Sequence, residues 1–205
     1  MSNDININDF LKNSPLKSVK SFLLPFFIVF LLLGSIYTVD ANENAVVLRL
    51  GKYNSTTGPG LHLKLPFLDT VEKVKVDYQY KQEFGFRTLR PGVKTQYSNR
   101  GYEQESWMLT GDLKIAEVKW VVQYKIKDAK DYLFNVKNVE NTIFDVSEAA
   151  VRLMIGDRSF IEVLQAERES VAIEARKYMQ QLLDEYQSGI SIQLVQLQGV
   201  DPPQP

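Results

Sequence analysis

The stretch Phe22-Leu-Leu-Pro-Phe-Phe-Ile-Val-Phe-Leu-Leu-Leu-Gly-Ser-Ile-Tyr-Thr-Val39 decides how the rest of the chain is read, because its eighteen residues carry no charge. As an α-helix it covers about 27 Å, close to the ~30 Å hydrocarbon core of a bilayer. Pro25 falls in the first turn, where a missing N–H breaks no helical bond. Gly34 is tolerated in membrane helices, and Tyr37 lies where an aromatic ring meets the headgroups. The side chains expected to span the membrane are Phe22, Leu23, Leu24, Phe26, Phe27, Ile28, Val29, Phe30, Leu31, Leu32, Leu33, Ile36, Tyr37 and Val39. Two other readings compete. A buried soluble helix seldom lacks a polar face altogether. A cleaved signal peptide has a shorter apolar core, although Val39-Asp40-Ala41 loosely fits a small-residue cleavage site.

The flanking charges set the orientation. Lys12, Lys17 and Lys20 precede the apolar run, whereas Asp40 and Glu43 follow it before the first basic residue, Arg49. Positive flanks stay in the cytoplasm. Residues 1–21 are therefore expected as a short cytoplasmic tail and 22–39 as an uncleaved signal-anchor, with 40–205 outside.

Beyond the anchor the chain is long enough for one sizeable domain or two small ones. With 24 basic and 25 acidic residues the net charge is −1, which gives no basic excess to attract nucleic acid. The chain contains no cysteine, so disulfides and thiolate chemistry are excluded and the core must hold the domain.

Alternation dominates the first part. Val46, Leu48 and Leu50 are expected on one face of a strand beginning at Ala45. It would form a hairpin with the strand 61–65 around the turn-rich Ser55-Thr-Thr-Gly-Pro-Gly60. From Val71 to Lys81 a single strand is expected, with Val74, Val76, Tyr78 and Tyr80 facing a core. Residues 89–105 read as an exposed loop. A second hairpin turns at Gly111-Asp112 into a strand from Ala116 to Ile126, where Trp120 is expected as a core anchor. The period then becomes helical. Asp128 and Asn138 are expected N-caps, and Ser159 with Glu162 fits a capping box. The helix that follows is expected to bury Leu164, Val171, Ala175, Tyr178, Leu182 and Tyr186 and to stop near Gly189. A closing strand runs from Ile190 to Val200. Strands, then helices, then a strand indicate an α+β fold, with about 45–105 as a sheet-rich first part and 106–200 as an α/β second part.

The search for catalytic chemistry is negative. His62 is the only histidine and sits between two leucines beside a turn, the setting of a structural side chain. His/Cys metal sites are excluded by count, and neither a phosphate-binding G-x-x-x-x-G-K-[ST] loop nor a G-x-S-x-G elbow occurs. No cofactor is expected, no small-molecule substrate, and no enzyme.

Glu43-Asn-Ala-Val-Val-Leu-Arg-Leu-Gly-Lys52 followed by Gly58-Pro-Gly-Leu-His-Leu-Lys-Leu-Pro-Phe67 resembles the opening of SPFH (band 7) domains, the membrane-anchored modules of stomatins, prohibitins and flotillins. Within that group the chain looks most like the HflK branch. The features are Glu83-Phe-Gly-Phe-Arg-Thr88, Met108-Leu-Thr-Gly-Asp112, Val121-Val-Gln-Tyr-Lys-Ile-Lys-Asp128, Tyr132-Leu-Phe-Asn-Val136 and Leu197-Gln-Gly-Val-Asp-Pro-Pro203, all in the order of the family. The resemblance implies a non-enzymatic scaffold of the bacterial inner membrane, spanning once with its domain in the periplasm. It implies assembly with itself and with an HflC-like paralogue, and modulation of an FtsH-like AAA+ protease. It also implies a long helix beyond Pro205. A stomatin-like organiser of membrane microdomains and a membrane-bound hydrolase are the alternative functions. Leu61, Leu63, Leu65, Phe67 and Leu68, crowded after the anchor, are candidates for contact with the membrane surface; ordinary strand core is the competing reading.

Overall fold

The computed structural model describes Pro25 and residues 34–90, 96–98 and 102–202. The expected span at Phe22–Leu24 and Phe26–Leu33 therefore lies outside the described residues. Among those described, no helix is long and apolar enough to cross a membrane. Gly34 is helical and Ser35 turns, and Ile36–Val39 then form strand β1 rather than the last turn of a helix. This corrects the expectation for Ile36, Tyr37 and Val39. A β-branched and aromatic run suits a strand, and here it finds a partner to pair with.

That partner is not the expected one. β1 pairs with β4 (Gly60–Leu63) in an antiparallel ribbon, with Ile36 opposite Leu63 and Tyr37 opposite His62. β2 (Glu43–Arg49) instead lies between β3 (Lys52–Thr57) and β5 (Asp69–Lys75) in a three-stranded sheet. The hairpin after Ala45 thus closes at Leu50-Gly51, and the stretch read as a turn contains the second half of its second strand. Leu50 and Gly51 both have positive φ, 50° and 81°. Two positive φ values are what a two-residue type I′ turn needs to match strand twist. The expected apolar face ends there, so Leu50 is exposed while Val46 is fully buried.

The expected single strand 71–81 is two strands in two sheets. β5 ends at Lys75, and β6 (Tyr80–Phe84) joins the sheet of the second part. After β7 (Arg87–Arg90) and β8 (Gln96–Ser98), which pair with each other and reach into the stretch expected as a loop, a short helix α1 (Glu103–Ser106) leads to β9 (Trp107–Leu109). The hairpin from β9 to β10 (Ile115–Ile126) forms as expected. β10 is flanked on one side by β9 and β6 and on the other by β11 (Ile190–Asp201).

The alternate residues Ala116, Val118, Trp120, Val122, Tyr124 and Ile126 of β10 are all buried. They face helices α2 (Ala129–Phe134), α3 (Val139–Gly156) and α4 (Arg168–Glu185) in one hydrophobic core. Trp120 is fully buried, its ring stacks on Phe84 at 4.5 Å, and its indole N–H donates to Ser147 Oγ at 2.9 Å. Asp128 and Asn138 cap α2 and α3 by accepting first-turn N–H groups. Ser159 and Glu162 form the expected reciprocal pair. The turn they start is nevertheless a π-turn (Glu162–Ala166), closed by Glu167 N–H donating to the Glu162 carbonyl. α4 therefore starts afresh at Arg168. Its buried stripe is Val171, Ala175, Met179 and Leu183, with Leu164, Tyr178 and Leu182 at its margin and Tyr186 half exposed. Arg158 ties the restart, bonding Glu167 at 2.6 Å and Glu174 at 2.8 Å.

Gly189 ends this helical layer at φ +69°, with its carbonyl accepting from Lys127 and Asp128 N–H. A Cβ there would sit 2.7 Å from Tyr132 N and closer still to the Asp128 carbonyl. Gly189→Ala is expected to cost more than the ~1 kcal/mol of a left-handed alanine alone, read as a lower urea midpoint of the tryptophan fluorescence transition. At the other end of the molecule, the buried Asp69 carboxylate is bonded by Arg49 and by Leu65 N–H, and these hold its pKa below the ordinary range. A depressed folded pKa gives stability that is present above the unfolded value, about pH 4, and lost as pH falls through the folded one. Relative to Asp69→Asn, the wild type should have the higher midpoint at pH 7, and this difference should shrink as pH falls below about 4. A pH-independent difference would assign the effect to packing instead.

Candidate functional site

The residues nearest the apolar segment build an exposed apolar tip. In the β1–β4 ribbon, Ile36, Leu61 and Leu63 share the outward face and are 49%, 68% and 77% exposed. The inward face carries Val39, which is buried, and Tyr37, whose ring lies 5.6 Å from that of His62 and whose hydroxyl bonds Thr57 Oγ1 at 2.9 Å. Alternation thus gives the ribbon one face for the β2 sheet and one face of bare aliphatic side chains.

The loop after β4 adds Leu65, Phe67 and Leu68, of which Phe67 is 79% exposed. Its shape is fixed from below. Arg49 Nε and Nη2 donate to the two Asp69 carboxylate oxygens at 2.9 and 3.2 Å, across a Cα pair at the end of the β2–β5 ladder. Asp69 also accepts from Leu65 N–H at 2.9 Å, and its own N–H donates to the Leu65 carbonyl at 2.9 Å. Leu50 N–H donates to the Leu68 carbonyl at 2.9 Å, which draws the β2–β3 turn against the loop. Phe67 is held at φ 67°, a left-handed conformation that costs a non-glycine residue about 1–2 kcal/mol. Backbone strain at an exposed aromatic is unusual and marks a position worth a functional explanation.

Two contacts tie this tip to the end of the apolar segment. Lys64 N–H donates to the Ser35 carbonyl at 2.7 Å, and a Cβ on Gly34 would lie 3.6 Å from Pro66 Cβ. The five residues singled out from the sequence, Leu61, Leu63, Leu65, Phe67 and Leu68, are therefore exposed at the point where the chain leaves residues 22–33. Leu50 and Ile36 belong with them and were assigned elsewhere by sequence reasoning. The signal for Leu50 was the Leu-Gly pair between two alternating runs, a two-residue hairpin turn.

His62 is engaged in the turn that precedes β4. Its Nε2 donates to the Gly58 carbonyl at 2.8 Å and its ring packs on Tyr37, which closes the β3–β4 turn. Among the described residues no group of three or more His, Asp or Glu is placed to hold a metal ion.

Comparison with known proteins gives a consistent set of relatives. Residues 37–205 match the model of the SPFH domain / Band 7 family. The chain is 44% identical over 168 residues to Protein HflK of Treponema pallidum, covering 81% of this chain and 51% of that protein. It is 32% identical over 173 residues to Protein HflK of Borreliella burgdorferi, covering 84% and 55%. It is 25% identical over 168 residues to the Modulator of FtsH protease HflK of Escherichia coli, covering 82% and 35%. The chain thus spans about half the length of the first two relatives and about a third of the last. With the family model matched from β1 to the last residue, the chain belongs to the SPFH domain / Band 7 family.

Proposed function

We propose that this protein is a non-enzymatic scaffold of HflK type, anchored by the apolar segment that begins at Phe22, with its N-terminus in the cytoplasm and its SPFH domain lying on the outer face of the bacterial inner membrane. It assembles with itself and with an HflC-like paralogue and modulates an FtsH-like membrane protease. The membrane apposition is carried by one observation, the hydrogen bond from Lys64 to Ser35 that holds the exposed leucine and phenylalanine tip beside the end of the apolar segment. Exposed side chains of this size gain about 1.5–3 kcal/mol each on full burial, so a bilayer surface beside them is a sufficient partner. The protease role is supported by the name of the E. coli relative, a modulator of FtsH protease.

An organiser of membrane microdomains without a protease is the second reading, because the same apolar tip supports it equally. Against a hydrolase stands the hydrogen bonding of His62, whose Nε2 is engaged by a backbone carbonyl rather than by a nucleophile.

The absence of native cysteine makes single-site labelling at this tip unambiguous. With Phe67→Cys carrying bimane in the reconstituted full chain, quenching by lipids bearing a shallow spin label is expected. Quenching by an aqueous quencher alone would remove the membrane contact. For the partners, extraction in mild detergent should bring down an FtsH-like protease together with an HflC-like paralogue. Recovery of the paralogue without protease would favour the microdomain organiser, and recovery of neither would sink the scaffold reading.

A further inference from the structure

A second site lies away from the tip, where the face of the β6–β10 pair runs past the start of α3. Tyr80 and Tyr124 are cross-strand partners there, with rings stacked at 5.3 Å, and Tyr78 meets Tyr80 edge-on at 4.8 Å. Tyr80, Lys81, Gln82, Tyr124 and Glu140 line a pocket of about 230 Å³. Its polar groups are unspent. Gln82 Nε2 donates to the Glu140 carbonyl at 3.5 Å, which orients the amide, and Gln82 Oε1 is buried with no hydrogen-bond partner. Tyr124 is only 5% exposed, yet its hydroxyl has no hydrogen-bond partner among the described residues. The hydroxyl oxygen itself is not enclosed, so it stays open to an incoming group. The exposed Glu140 carboxylate makes no ion pair among the described residues. Lys81 also borders the pocket, but its ammonium is held by Glu83 at 2.6 Å.

The groups left over are acceptors: an amide oxygen, a carboxylate, phenol oxygens and the negative faces of aromatic rings. Their common complement is a cation that donates hydrogen bonds and stacks. The first-turn N–H groups of α3 oppose this with positive potential, and Glu140 in that turn offsets them. Its field reaches the tyrosines: burial first, and then the Glu140 carboxylate, push the Tyr124 hydroxyl up to about 12. We infer that the Tyr80–Tyr124–Glu140 pocket is a socket for a guanidinium or alkylammonium group, stacked on the tyrosines and bonded by Gln82 Oε1 and the Glu140 carboxylate. The group is carried by an arginine or lysine side chain of a second copy or by a free amine. This socket is independent of the membrane tip.

The test uses the full chain in detergent micelles with ring-labelled tyrosine, at a concentration where sedimentation finds it monomeric. Ethylguanidinium chloride is titrated against sodium chloride at equal ionic strength. Saturable shifts of the Tyr80 and Tyr124 ring signals are expected at roughly millimolar probe, with Tyr53 unmoved. Glu140→Gln should weaken the response at least tenfold while the Trp120 indole signal keeps its position. Tyr80→Leu, which removes a stacking face and no charge, should weaken it too. Shifts matched by sodium chloride, or equal affinity in Glu140→Gln, would overturn the inference. The source is read separately. Tyr80 and Tyr124 signals that move with protein concentration and are restored by ethylguanidinium assign the cation to a second copy. Signals that respond to the probe but not to protein concentration assign it to a free amine.

Discussion

Strand β10 is hydrogen-bonded along both edges while every second side chain from Ala116 to Ile126 is buried. A strand constrained in this way cannot slip by one residue without turning that entire apolar set toward solvent and its lysines toward the core. The register of β6, β9 and β11 is therefore set together. The helical layer follows from it, because Trp120 fixes α3 through stacking on Phe84 and a hydrogen bond to Ser147, a pairing specific in distance and in direction. Where α3 begins, the same face of β10 and β6 is left partly uncovered. Its tyrosines remain there with polar groups that the core does not use.

The first part of the domain solves a different problem, which is to hold apolar side chains outside a core. Leu61, Leu63 and Phe67 are costly to leave in water, and hydrophobic burial within the domain would draw them inward. What keeps them out is polar. Asp69 is buried, so its charge must be paired, and Arg49 and Leu65 N–H supply the partners. That cluster sets the path of the loop, while β1, wedged against β4, denies the ribbon leucines an inward orientation. The bond from Lys64 to Ser35 joins this arrangement to the chain that precedes it. The strain at Phe67 is then the local cost of pointing an aromatic ring away from the protein.

Much of the second part was legible in sequence because its signals are local. Caps at Asp128 and Asn138, the Ser159–Glu162 pair and the helix stop at Gly189 each depend on residues within a turn of one another. The β9–β10 hairpin depends on a short turn. Errors arose where two local signals were alike. Val71–Lys81 alternates without interruption, yet β5 and β6 serve different sheets, because alternation records which side is apolar and not which strand lies beside it. Ser55–Gly60 is rich in turn residues, yet Ser55–Thr57 pair with Ala45–Val47. The true turn, Leu50-Gly51, was masked by a leucine that fits an alternating strand equally well. The stripe of α4 keeps the expected Val171 and Ala175 but continues at i+4 to Met179 and Leu183, which leaves the expected Tyr178 and Leu182 one position aside at its margin.

The sequence by itself determined the α+β class, the caps at Asp128 and Asn138, the stop at Gly189, the apolar face of β10 and the resemblance to SPFH domains. These rest on periodicity and short-range hydrogen bonding, which neighbouring residues alone can specify. Only the tertiary structure decided that Ile36–Val39 pair with β4, that β6 joins the second sheet, and that Leu61, Leu63 and Phe67 face outward. It alone brought Tyr80, Tyr124 and Glu140 around one pocket. An apolar residue reads the same in sequence whether its partner is a core or a surface, and a strand reads the same whichever edge it joins. Both are settled by contacts between residues far apart in the chain.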